Sequence, residues 1–445
     1  MSILRAFPMG LFFVLCTFYD LAGASDPADD YFSQGYKYFQ SRQFDKAVEA
    51  YSKAIGFRPT FSKAYYNRAV AQINLGLYSP AVKDLSFVIK RDPSHIKAHL
   101  YRGFAQMKLQ NYQGSLSDFN FVVTNEPNRT DALFNRGVVH MKLGDFTKAI
   151  ADFSRTIDLE PEHGDVYYSR GYCYSQLGHD DQALSDYNKQ VTASPNHRDV
   201  YHNKGNTELR LEMYEAAVSS FDKSIVLNPN LATSYQGRAF AQLHLKQHAK
   251  AIEDFGQAMR IDGSLISNYK NRALAFIEMK RYGEALRDIS EYLKYDPSDY
   301  EALIVQGELL NSTEDFEKAK RSLNQAIRIN PQDTRAYILR GYANRQTGNL
   351  DQAIDDFSKV LQNQPQNENA LFNRGNLFFE KNLLSRSIKD FDVLLQTNTS
   401  HGRAYLMRAK AKINHQDKNG GCNDLKKARA LGVTEAKEIM LLYCR

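Results

Sequence analysis

The chain has 445 residues, 43% of them hydrophobic and 24% charged, a composition typical of a soluble globular protein. Its formal net charge of +6 is small for that length, and past the first residues basic side chains come no more than two in a row, as at Lys426-Lys427. That argues against a nucleic-acid-binding chain and for mixed charge on solvated helix faces.

The N-terminus differs from the rest. In MSILRAFPMGLFFVLCTFYDLAGASD, Arg5 precedes an apolar run from Leu11 to Tyr19, and Ala22-Gly23-Ala24 supplies small residues. This order predicts a Sec-type signal peptide over residues 1–24, cleaved before Ser25. The apolar run is too short to span a bilayer. Leu15 is too bulky before Cys16 for a lipoprotein signal. Export would place the chain where disulfides persist. Cys422 and Cys444 bracket the last segment, CNDLKKARALGVTEAKEIMLLYC, and are the candidate pair for a staple on the final helix. Cys173 reads as a small buried residue within a helix. The chain has no CxxC, so a zinc or thioredoxin-type site has no support.

From residue 28 onward one period governs the sequence. Prolines stand at Pro59, Pro93, Pro127, Pro161, Pro195, Pro229, Pro297, Pro331 and Pro365, with Gly263 and Thr399 in the two empty slots. Twenty-four residues before each slot stands Gly or Ala, for example Gly35, Ala69, Gly137, Ala273 and Gly375. A second small residue follows, such as Ala149, and four residues later comes a large apolar one, such as Phe153. This pattern resembles the tetratricopeptide repeat, a helix–turn–helix of about 34 residues. The resemblance covers twelve units, 28–61 and onward to 435, within a single array over 25–435. It implies an all-α solenoid, a right-handed superhelix of antiparallel helix pairs. One pair cannot bury its apolar faces alone, so neighbours must stack. Residues 436–445 read as a C-terminal capping helix.

Just before the Gly/Ala position stand Arg68, Arg102, Arg136, Arg170, Arg238, Arg272, Arg340, Arg374 and Arg408. Sixteen residues later in the same units stand Asp84, Asp118, Asp152, Asp186, Asp254, Asp288, Asp356, Asp390 and Asp424. The three remaining units carry Gln34, Lys204 and Gln306 with Ala50, Ser220 and Ser322, and so lack both partners. Residues gained and lost together argue contact, so an Arg–Asp bridge is expected inside each of the nine units.

The resemblance further implies a concave surface lined mainly by the first helix of each pair, helix A. Asn67, Asn135, Asn203, Asn271 and Asn373 precede the arginine slot there. An Asn amide both donates and accepts, which suits a peptide backbone whatever its sequence. Tyr66, Phe134, Tyr168 and Tyr172 flank this row as candidate contacts. Lys63, Lys97 and Lys270 are candidates for a carboxylate clamp, though the full constellation is not evident.

There is no G-x-S-x-G, P-loop or G-x-G-x-x-G motif. His244 and His248 lack the Glu of a zinc protease between them. The sequence therefore points to a non-catalytic protein–protein interaction scaffold with no cofactor or metal and no membrane span. Its partner would be a protein or peptide held in the groove, outside the cytoplasm. The alternative is an accessory subunit of an envelope or secretory complex, touching partners through the convex face or the ends. The final segment resembles the last unit of bacterial exported repeat proteins, and Leu441-Leu442-Tyr443-Cys444-Arg445 lacks an ER-retrieval signal. Periplasm or extracellular space is thus expected over the ER lumen.

Overall fold

The computed structural model describes residues 26–444, so the signal-peptide reading of residues 1–24 lies outside the described residues. Among the described residues there are 25 helices and no strand. They fall into two compact units, the chain passing from one to the other between Pro229 and Asn230. In each unit consecutive helices pack as antiparallel pairs, and each pair packs on the next. In an array whose contacts are all between neighbours, compactness is a local property, which is how one unbroken period yields two compact bodies.

The fourth pair shows why the sequence folds this way. Helix A runs Thr130–Lys142 and helix B Phe146–Leu159. Between them Gly144 takes φ +79°, in the left-handed region. Gly144 N–H donates to the Met141 carbonyl at 3.2 Å and Asp145 N–H to the His140 carbonyl at 2.9 Å. These two bonds close the end of helix A, where the His140 carbonyl also accepts from Leu143 N–H at 3.1 Å. Helix B stops at Leu159; Glu160, with φ −145° and ψ 82°, has left the helical region, which a following proline disfavours. Pro161 has no N–H to continue the ladder.

The small residues allow the pairs to close. A Cβ built on Gly137 would stand 2.7 Å from the ring of Phe153. Phe153 is fully buried among Ala149, Val166 and Cys173. Val166 and Cys173 belong to the next pair, so one ring seals two pairs together. Burying a ring of that size stabilises by about 1.5–3 kcal/mol. Burial also pushes the Cys173 thiol up to about 12, which leaves it inert at neutral pH.

The chain's last described helix, Glu435–Tyr443, begins one residue before the expected capping segment. It buries Ala436 and packs Ile439 and Met440 against the cluster containing Leu425 and Ala428. Cys422 and Cys444 are joined by a disulfide, with their Cα atoms 5.7 Å apart.

Candidate functional site

Arg136 lies on helix A one residue before the close approach at Gly137, and Asp152 lies on helix B one residue before Phe153. The contact that brings glycine to ring therefore also brings guanidinium to carboxylate. Arg136 Nε donates to Asp152 Oδ2 at 2.8 Å and Nη2 to Oδ1 at 2.6 Å. The side chains are 21% and 8% exposed. The other eight pairs form the same fork: Arg68–Asp84, Arg102–Asp118, Arg170–Asp186, Arg238–Asp254, Arg272–Asp288, Arg340–Asp356, Arg374–Asp390 and Arg408–Asp424. At Asp356 burial raises the carboxyl above its usual range, against the opposing pull of Arg340 and Asn344.

The arginine also has a reach that sequence reasoning missed. Its Nη1 extends back to helix B of the preceding pair: Arg68 to Ser52 at 3.0 Å, Arg136 to Asn120 at 3.0 Å, Arg374 to Ser358 at 2.9 Å. Arg408 meets a carboxylate there, Asp392, at 2.7 Å. Each such arginine thus ties three helices. In two of the three units without the ion pair, neutral or mixed groups keep the contact; in the first, Gln34 stands opposite Ala50 and donates instead to Tyr38 on its own helix at 3.4 Å. Gln306 donates to Ser290 at 3.1 Å and accepts from Ser322 at 2.7 Å. Lys204 donates to Ser220 at 3.1 Å and pairs with Glu208.

The asparagines sit on helix A and are half-buried. Three have donors already engaged. Asn135 Nδ2 donates to the Asp131 carbonyl at 2.7 Å and Asn373 Nδ2 to the Asn369 carbonyl at 2.8 Å, each one turn back on its own helix. Asn203 Nδ2 donates to the Tyr168 hydroxyl of the preceding pair at 3.0 Å. Their carbonyl oxygens are the groups to offer a ligand. Asn67 and Asn271 are half-buried as well. Of the clamp candidates, Lys270 bonds Asp299 at 2.9 Å, so it is already neutralised.

The aromatic row is part of the joints between pairs. Tyr66, Phe134, Tyr168 and Phe372 lie 5.1, 4.7, 4.6 and 5.1 Å from the rings of His95, His163, His197 and His401. Three of these histidines cap the next helix: Nδ1 of His95, His197 and His401 accepts from the N–H of Ala98, Val200 and Ala404. Burial raises the Tyr66 and Tyr168 hydroxyls above the usual phenol range. Tyr172 is half-buried, its ring 6.4 Å from Phe146. The same register holds Phe32 against Phe61 and Lys270 against Asp299. That pairing was legible: an aromatic with a ring, or a cation with an acid, at one constant spacing.

In the second unit, a hollow of ≈ 320 Å³ opens between the first helices of three consecutive pairs, Tyr300–Ser312, Thr334–Gln346 and Glu368–Glu380. Asn373 lines it with Glu308, Asn311, Tyr342 and Asn369. Asn311 Nδ2 is held by the Leu339 carbonyl at 2.9 Å, and its buried Oδ1 has no partner. Tyr342 is exposed. The hollow sets apolar side chains, among them Ile338 and Phe357, beside the fixed amides of Asn311 and Asn373. Among the described residues no group of three or more His, Cys, Asp or Glu is placed to hold a metal. No helix among them is long and apolar enough to cross a membrane.

Helix pairs stacked each on the next define an α-solenoid. Tetratricopeptide repeat models match residues 35–76, 130–163, 164–197, 199–231, 270–319 and 312–368, together more than half of the chain. The chain belongs to the tetratricopeptide repeat family, whose members bind proteins or peptides. No curated protein matches it. Similar solved structures include the anaphase-promoting complex assembly Cut9–Hcn1, at 12% identity over 94% of this chain and 96% of that one, TM-score 0.39. A repeat protein from Parabacteroides merdae is 16% identical over 56% of this chain and 99% of its own, TM-score 0.42. YrrB, described as having an unusual peptide-binding site, is 23% identical over 45% of this chain and 99% of its own, TM-score 0.38.

Proposed function

We propose that this chain is an exported, non-catalytic, twelve-repeat scaffold that holds an extended segment of a partner protein along helix A faces, in the periplasm or outside the cell. The hollow between Tyr300–Ser312, Thr334–Gln346 and Glu368–Glu380 carries the reading. It joins exposed Tyr342 to the amides of Asn311, Asn369 and Asn373, so it offers an apolar contact beside groups that read a peptide backbone. The leader-like residues 1–24 and the Cys422–Cys444 disulfide support export.

Peptides selected from a random display library on the full chain test this. Binding should fall about tenfold or more in Asn311→Ala with Tyr342→Ala, and Asn135→Ala with Asn203→Ala probes the first unit in the same way. Selected peptides that bind all these variants as well as wild type would sink the groove reading and move the contact to the convex face or the ends.

A further inference from the structure

The charge of this chain is not spread along it. From Gly402 to the end there are ten Lys and Arg against four Asp and Glu, which is the whole formal net charge of +6. Everything before Gly402 therefore sums to zero. The excess lies at one end of the second unit.

The structure places an apolar tip beside that excess. Helix B of the last pair runs Lys418–Ala430, and Lys418, Cys422, Lys426 and Arg429 follow at helical spacing down one side. The disulfide from Cys422 to Cys444 fastens the end of the final helix to that side. The Tyr443 carbonyl lies 3.9 Å from Cys422 Sγ. The final helix turns Ala436, Ile439 and Met440 inward. That leaves Leu441, Leu442 and Tyr443 outward, 57%, 75% and 48% exposed. Lys426, Lys427, Arg429 and Lys437 are exposed too, and none is in an ion pair among the described residues. By contrast, Lys410 and Lys412 on the adjoining helix are paired, with Glu435 and Asp424.

We infer that this end is a docking surface for an anionic lipid membrane, with Leu441, Leu442 and Tyr443 entering the interface and Lys426, Lys427, Arg429 and Lys437 resting on the headgroups. Two adjacent leucines and a tyrosine at a helix end suit the boundary between headgroup and acyl chain. Unpaired cations on the helix that the disulfide fastens to this tip, and at Lys437 on the final helix itself, gain from the negative surface potential. A second copy of the chain is a poor occupant, because two such ends carry the same excess charge. The tip is apolar where a nucleic acid would need further cations. This surface is independent of the groove: a chain that binds no peptide would still dock, and the reverse.

Flotation with vesicles tests it, using the full chain and its variants so that the same N-terminal residues are present in every arm. One set of vesicles is phosphatidylcholine, the other phosphatidylcholine with phosphatidylglycerol. Association with the anionic vesicles alone, weakened by added salt, is expected. Lys426→Glu with Lys427→Glu should weaken it about tenfold or more. Leu441→Ser with Leu442→Ser should weaken it as well, with both variants melting as wild type does. Equal flotation with both vesicles, none with either, or association unchanged in both variants overturns the inference. So does a polyglutamate peptide that binds the chain while anionic vesicles do not, an outcome that assigns the surface to an acidic protein.

Discussion

Ser322 donates its hydroxyl proton to Gln306 Oε1 at 2.7 Å, where nine other pairs of helices set a carboxylate against an arginine. The contact between the two positions survives without its charges. The ion pair is thus one way to link helix A to helix B there, and the first pair, with Gln34 and Ala50 in the two positions, does without such a link. What the charges add is a cost of breakage. Asp152 is almost fully buried, so removing Arg136 strands a carboxylate inside the protein.

Arg136→Ala and Asp152→Ala are each expected to destabilise by about 3–5 kcal/mol. The double variant should cost less than their sum, with a coupling of about 0.5–3 kcal/mol. Arg136→Gln with Asp152→Ser, copying Gln306 and Ser322, should fold and lose less than either single deletion. Urea unfolding of the four proteins measures this; additive single effects would mean that the fork carries no energy.

At most of the Gly/Ala positions glycine and ring compensate each other in volume; Gly307 against Leu323 and Ala239 with Phe255 depart from the rule. Gly137 faces Phe153, Gly171 faces Tyr187 and Gly375 faces Phe391. Ala273 and Ala69 stand where the residue sixteen on is Ile289 or Leu85. Gly137→Ala should destabilise by about 1–3 kcal/mol through overpacking on Phe153. Adding Phe153→Leu should return part of that loss, although the leucine alone destabilises. Thermal melting of the two single variants and the double would show it, and a double variant no better than the sum would refute the compensation.

Eight turns between paired helices place a non-glycine residue in the left-handed region that Gly144 occupies freely. Lys246 at φ 57° and Glu314 at φ 62° are two of them. Lys246→Gly and Glu314→Gly should each stabilise by about 0.5–1 kcal/mol, the relief of left-handed strain exceeding the entropy lost on ordering glycine. Gly144→Ala should destabilise by a similar amount. Denaturant midpoints would report both directions.

His202 contributes a pH dependence of known sign. Burial lowers its imidazole below the ordinary value of 6.5, and Asn206 Nδ2 lies 3.0 Å from Nε2. Between the lowered value and 6.5 the unfolded chain binds more protons than the folded one. This group's share of stability is thus complete above 6.5 and falls as the pH drops through that window. His202→Phe should flatten the loss of stability between about pH 7.5 and about pH 5.5, measured by urea unfolding at each. An unchanged slope would show that His202 does not titrate in that range.

The period, the helix pairs, the glycine–ring contacts and the Arg–Asp partners were all legible in the sequence, and for one reason. Each rests on a contact at fixed spacing inside a unit that recurs many times, so a single chain supplies its own comparison. Gln306 with Ser322 even showed in sequence that the two positions change together. The third bond of Arg136 to Asn120 was not read, because Ser, Asn and Asp share that slot without a common charge. The hollow at Asn311, Tyr342 and Asn373 was hidden for a different reason. It depends on how far apart the first helices of three consecutive pairs stand, and on which amide donors backbone carbonyls have already taken. Likewise, the sequence alone determined that the final residues carry the net positive charge. Only the tertiary structure decided that Cys422 and Cys444 bring Leu441, Leu442 and Tyr443 to that charge, since a disulfide joins what lies close in space and not what lies close in the chain.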